Sequence, residues 1–225
     1  MAKPIPSTLY VVATPIGNPK DITLRAVEIL SLVDAVICEE YRLGSTLLKK
    51  IGIQNQELLT LNEHNEHNLA QELVQRLVNG ESFALVSDGG TPVFADPGSY
   101  LIKLASQNGV RTIPVPGPSS LMAALSMLDF NLKDFVFAGF LSPKKEIRKK
   151  ELEQYKSYNL PVIIMDTPYR LGRTLEEVEH IFGMDQRVTL TCDLTLKTEQ
   201  IYRGSVGKIR ASLNRQKAEF ILIIH

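Results

Sequence analysis

Short apolar runs of strand length alternate along the chain with longer segments whose apolar residues recur at helical spacing. In the first half, residues 9–14, 35–40, 58–61, 83–87 and 111–115 read as strands, with helices between them. Residues 65–78 form the clearest helix: Leu69, Leu73, Leu77 and Val78 share one stripe, and Asn79-Gly80 supplies a stop. Pro114-Val115-Pro116-Gly117-Pro118 then interrupts regular structure, because proline fixes φ and lacks the backbone donor. A domain boundary is placed there, giving residues 1–116 and 117–225. Downstream, residues 135–140, 162–166, 188–194, 200–206 and 220–224 read as strands, and residues 122–128, 144–155 and 171–182 as helices. Only one short helix separates the last three strands, which predicts an antiparallel component. The expected fold class is α/β: an N-terminal domain on a mostly parallel sheet and a C-terminal domain on a mixed one.

Composition narrows the class. With 225 residues, 44% of them apolar and 22% charged, the chain can bury a real core and is not disordered overall. The longest strongly apolar run, residues 220–224, is far below the roughly 20 residues that span a bilayer, and the first residues lack a basic-then-apolar signal. A soluble cytoplasmic protein is expected. Cys38 and Cys192 stand far apart without CxxC spacing, so neither a disulfide framework nor a structural zinc site is indicated. The formal charge is zero, with 25 basic against 25 acidic residues. That balance hides an asymmetry: before Pro116 there are 9 basic and 12 acidic residues, after it 16 and 13.

Three loops carry candidate chemistry. Thr14-Pro15-Ile16-Gly17-Asn18 follows the first strand, Ser87-Asp88-Gly89-Gly90-Thr91-Pro92 a later one, and Pro116-Gly117-Pro118-Ser119-Ser120 the last strand of the first half. Glycine lets a backbone approach a ligand closely, and loops after parallel strands converge on one sheet edge, where crevice sites form. Each loop also has a structural reading. The first is a turn, the second an Asx-turn followed by the tight turn Asp96-Pro97-Gly98, and the third a serine cap. Neither GxGxxG, a P-loop nor GxSxG occurs.

Glu39-Glu40 ends a strand and can direct a carboxylate to the same edge, with Arg42 close behind. His64, Glu66 and His67 lack the spacing of a strong metal-ligand set and suit a helix start better, so no metal is expected. In residues 144–150, five cations stand against one anion. Such a run is either a solvated helix face or a phosphate-contacting patch through Lys144, Lys145, Arg148 and Lys149.

Together these stretches resemble the ribosomal RNA small-subunit methyltransferase I family, itself similar to the tetrapyrrole (corrin/porphyrin) methylases. The residues that carry the resemblance are 14–18 with 21–26, His64-Asn65-Glu66, 87–92 with Asp96-Pro97-Gly98, 116–119, Gly139-Phe140-Leu141, Pro168, Arg170-Leu171, Leu194-Thr195 and Tyr202-Arg203-Gly204. The resemblance implies two α/β domains with S-adenosylmethionine in a cleft between them, a homodimer, and 2′-O-ribose methylation of a cytidine in 16S rRNA or the small ribosomal subunit. By motif position, it assigns cofactor binding to Pro15, Gly17, Asp88, Gly89, Gly90, Thr91, Pro92, Pro116, Ser119, Pro168 and Leu194. Asp88 and Glu40 are the candidate general bases, since a ribose hydroxyl is a poor nucleophile until deprotonated. Arg42, Lys144, Lys145, Arg148 and Lys149 are the candidate substrate contacts.

The chain departs from the family pattern at Glu40-Tyr41, Gly89, Asp166-Thr167, Tyr169, Cys192-Asp193 and Leu196, and the extra segment many members carry has no counterpart after His225. Methylation of a tetrapyrrole or another small molecule, and a non-catalytic binding homologue, are the competing readings.

Overall fold

The computed structural model describes residues 5–93 and 96–225. The chain divides into two compact units that meet in sequence at Ser119 and Ser120.

The first unit runs β1 (Thr8–Val12), α1 (Leu24–Leu32), β2 (Ala35–Cys38), α2 (Tyr41–Lys50), β3 (Glu57–Thr60), α3 (Glu66–Val78), β4 (Ser82–Val86), α4 (Ser99–Gln107) and β5 (Arg111–Val115). Its five strands are all parallel, in the order β3-β2-β4-β1-β5. Strand periodicity divides the core into two layers. Leu9, Ile37, Phe83 and Leu85 pack with Leu73, Leu77 and Leu101 of α3 and α4, whereas Tyr10, Val12, Val36 and Val86 pack with Ala26, Leu30 and Leu48 of α1 and α2. Helices therefore cover both faces, as the near-continuous apolar strands require. The expected strand 9–14 stops earlier: Thr14 leaves the parallel ladder and pairs antiparallel with Gly90.

The second unit runs α5 (Ser120–Leu125), β6 (Val136–Phe140), α6 (Lys145–Ser157), β7 (Val162–Asp166), α7 (Leu171–Phe182), β8 (Arg187–Cys192), β9 (Gln200–Ser205), α8 (Val206–Ser212) and β10 (Phe220–Ile224). The strand order is β6-β7-β10-β8-β9; β6 and β7 are parallel and the other pairings antiparallel, so the mixed sheet is observed as expected. One face carries the larger core, with Ile164, Leu190 and Leu222 against Leu152, Leu175 and Val178. The other face sets Ile163, Ile221 and Ile223 against Ala124 of α5. That helix is shorter than the expected 122–128 and starts earlier, at Ser120.

Candidate functional site

In the first unit, the loops after β1, β4 and β5 begin at one level of the sheet, since Val12 pairs with both Val86 and Val115. Backbone bonds then fasten them. Ala13 N donates to Val115 O at 3.1 Å, and Thr14 and Gly90 exchange hydrogen bonds at 2.8 and 3.1 Å. The buried Thr14 hydroxyl donates to Ser87 O at 3.0 Å, Gly89 N to Ser87 Oγ at 2.9 Å, and the Thr91 hydroxyl to Pro118 O at 3.3 Å. Gly90 has φ +93°, strained for any side chain, and a Cβ on Gly117 would lie 3.1 Å from Ala13 Cβ.

The edge thus gathers Pro15, Gly17, Asp88, Gly89, Gly90, Thr91 and Pro116, with Pro92 buried behind it and Ser119 ending the unit. A hollow of about 170 Å³ lies between Pro15, Gly17 and Asp88 on one side and Leu43, Thr46 and Leu47 of α2 on the other.

The edge is acidic. Asp88 is exposed overall, yet partial burial and the nearby Glu40 hold its carboxyl above the ordinary range, with Asp96 adding to the effect. Burial and then Asp88, Asp96, Glu63 and Glu40 push Glu39 up as well, and burial raises Asp96 against an opposing hydrogen bond from Ser87. Among the described residues, Glu39, Glu40, Asp88 and Asp96 form no ion pair. Glu40 precedes α2 without a side-chain capping bond, and Arg42 is exposed in the first turn of that helix.

The stretch from His64 to His67 is a helix start. The Glu66 carboxylate accepts from Gly98 N at 2.8 Å and Tyr100 N at 3.0 Å, tying α3 to the beginning of α4, while the His67 ring packs on Tyr100 with centroids 4.2 Å apart.

The second unit fastens its sheet end through side chains. Asp166 at the end of β7 is buried; its carboxylate accepts from Thr167 N, from the Thr174 hydroxyl at 3.0 Å and from Arg170, which also donates to Leu141 O at 3.1 Å. Pro168 opens the 3-10 turn Pro168–Arg170 immediately afterwards. Leu194 follows β8 at the same sheet end, because Phe220 pairs with both Asp166 and Cys192. Beside it, Asp193 accepts from Arg215 at 2.7 Å and from Glu219 N at 3.1 Å.

One candidate substrate contact is overturned. Arg148 is 1% exposed and belongs to the interior, not to a cationic surface. It grips Glu177 through two nitrogens, one at 2.6 Å, and donates to the carbonyls of Ser142 and Pro143 at 2.7 and 3.0 Å. Helical spacing contains the missed signal: Arg148 stands four residues before Leu152 and seven before Tyr155, on the apolar stripe, while Ile147 is exposed.

Lys144, Lys145 and Lys149 are exposed, and Lys149 lies 3.7 Å from Glu153. Lys145 and Lys149 border a larger hollow of about 710 Å³ that Glu176 and Glu179 also line. The positive run is thus diluted by acids from α7.

The model of the tetrapyrrole (corrin/porphyrin) methylases fits residues 8–210. The chain belongs to this methylase family. Its relatives include the ribosomal RNA small subunit methyltransferase I of Neisseria meningitidis serogroup B, 38% identical over 97% of this chain and 76% of that one. The protein of the same name from Xylella fastidiosa is 38% identical over 97% of this chain and 81% of its own, and that of Escherichia coli O157:H7 is 37% identical over 96% and 77%. The methylase fold also matches the crystal structure of uroporphyrin-III-C-methyltransferase from Thermus thermophilus, with a TM-score of 0.64 over 97% of this chain and 94% of that one, at 19% identity. By family, then, the chain is a methyltransferase.

Proposed function

We propose that the chain transfers a methyl group from S-adenosylmethionine to the ribose 2′-hydroxyl of a cytidine in 16S rRNA, free or within the small ribosomal subunit. The observation that carries this reading is the similarity, over 96–97% of this chain, to several proteins named ribosomal RNA small subunit methyltransferase I. The residues present fit the cofactor's charge. S-adenosylmethionine supplies an electrophilic methyl group on a sulfonium and carries an ammonium besides. An edge where Glu39, Glu40, Asp88 and Asp96 lack cationic partners, among the described residues, suits such a ligand.

In this reading, residues 14–18, 87–92 and 116–119 present backbone groups to the cofactor, and Pro168 and Leu194 contribute from the second unit. Burial and the nearby Glu40 raise the cost of ionising Asp88, so its carboxylate keeps proton affinity enough to take the proton from the acceptor hydroxyl, with Glu40 as the alternative base. Positioning the hydroxyl in line supplies most of the remaining rate. Arg42, Lys144, Lys145 and Lys149 meet RNA phosphate. The enzyme works in the cytoplasm as a homodimer. No helix among the described residues is long and apolar enough to cross a membrane.

The test is a map of ribose-methylated positions in 16S rRNA from cells with and without the protein, joined to transfer of radiolabelled methyl by the purified enzyme. A lost cytidine methylation supports the reading. An unchanged map with transfer to a tetrapyrrole makes it a small-molecule methylase, and cofactor binding without transfer makes it a non-catalytic binder. Light scattering checks the dimer.

A further inference from the structure

Tyr169 is 78% exposed, an unusual position for a ring of its size. Its neighbours are held firmly: Thr167 N is bonded to Asp166, Pro168 fixes the turn, and Arg170 is held by Asp166 and by Leu141 O. The ring itself meets one cation, Lys217, whose Nζ lies 4.9 Å from its centroid. Lys217 comes from the segment leading into β10, whose first residue, Phe220, pairs with Asp166. Lys144, exposed at the start of α6, follows the loop that Arg148 and Arg170 fasten. Among the described residues neither lysine has an acidic partner.

An exposed aromatic plane on a firmly held turn, with one lysine against the ring and another on a loop tied to the same turn through Arg170, has the chemistry of a single-stranded nucleic-acid contact, in which a base stacks on the ring and its phosphate meets the cations. We infer that Tyr169 is a stacking platform for an unpaired nucleobase of the RNA substrate, with Lys217 and Lys144 meeting the adjoining phosphates. This rests on the RNA reading above and sharpens it: the substrate presents an unstacked, single-stranded nucleotide beside the ribose that is methylated. A paired helix hides the faces of its bases and would gain nothing from Tyr169.

The chain contains no tryptophan, so Tyr169→Trp places a single fluorescent reporter at the platform. Titration with a short unpaired oligocytidylate is expected to quench its emission, and a fully paired RNA duplex of equal charge is not. In steady state, Tyr169→Ala should raise the KM for rRNA about thirtyfold, the middle of the range for loss of one stacked base. The same variant should leave kcat and S-adenosylmethionine binding within twofold, and Tyr169→Phe should restore KM.

RNA binding, followed by filter retention, without a change in emission overturns the platform. Quenching by S-adenosylmethionine alone overturns it too, because Tyr169 then belongs to the cofactor, as does a blue shift on raising protein concentration without RNA, because a second copy then covers it. Methyl incorporation into rRNA by the unaltered enzyme reports separately on the parent reading. If incorporation persists while emission stays unquenched, only the platform falls; if the unaltered protein neither binds nor methylates RNA, both fall.

Discussion

The two units fix the loops at their sheet ends by opposite means. In the first, backbone bonds, neutral hydroxyls and glycine contacts hold the loops together, and the carboxylates beside them form no ion pair among the described residues. In the second, carboxylates that are buried or half-buried are matched by arginine: Asp166 with Arg170, Asp193 with Arg215, Glu177 with Arg148 and Arg173. The titration of the acids follows. Although burial opposes ionisation of Glu177, its two arginines hold it below the ordinary range, while burial and like charge hold Asp88 above it. Backbone fastening leaves acidic side chains free for a ligand, whereas side-chain fastening consumes them.

The contrast can be broken most sharply at Asp88. If its carboxylate is used in chemistry, Asp88→Asn should lower methyl transfer to RNA by about 10²–10⁴-fold, the usual contribution of a positioned acid or base, with the fold intact by circular dichroism. An activity within threefold of the parent would return Asp88 to a loop-shaping role.

Next in size is Arg148→Met. Leaving Glu177 without its main partner and two carbonyls without their donor should cost about 3–5 kcal/mol in urea unfolding, the range for removing one member of a buried pair. A cost under about 1 kcal/mol would mean that packing, not the ion pair, holds the second edge.

Thr14→Val tests the hydroxyl that helps the backbone bonds fasten the first unit's loops. It keeps the shape and removes the hydroxyl that donates to Ser87 O, so the expected loss is about 1–2 kcal/mol in the same assay.

The smallest effect is a pH dependence. In the folded chain Asp88 holds its proton to higher pH than in the unfolded chain, so the stability it contributes is complete below the ordinary carboxylate range and is lost as pH rises through its folded value. Asp88→Asn should therefore melt slightly above the parent at neutral pH, and the difference should vanish in acid. An advantage that persists at low pH would point to packing instead of charge.

The layout of strands and helices was legible because buried strands in both units are nearly continuous apolar runs; residues 162–166 and 220–224 match the observed strands in full. Strand ends were less legible. Residues 13 and 14 continue the apolar and β-branched pattern of β1, but their bonds go to Val115 and Gly90, partners about a hundred and about eighty residues away that no local pattern reveals. The glycine loops could be picked out because glycine is costly where a loop does not need it, as Gly90 with its positive φ shows.

Arg148 was misread for a different reason. A charge count along the chain treats every cation as solvated, whereas the helix turns this one inward to Glu177, which lies on the next helix. Tyr169 was visible only as a departure from a family pattern, since exposure is set by tertiary packing.

The pairing of Thr14 with Gly90 has a kinetic consequence. Two reciprocal hydrogen bonds join the loops after β1 and β4, and neither amide can be released without disturbing the other's partner. Hydrogen exchange at these two positions should report one shared opening event, and residues 15–17 and 88–89 should loosen together. A ligand that touches either loop would then slow exchange in both, including at amides it never meets.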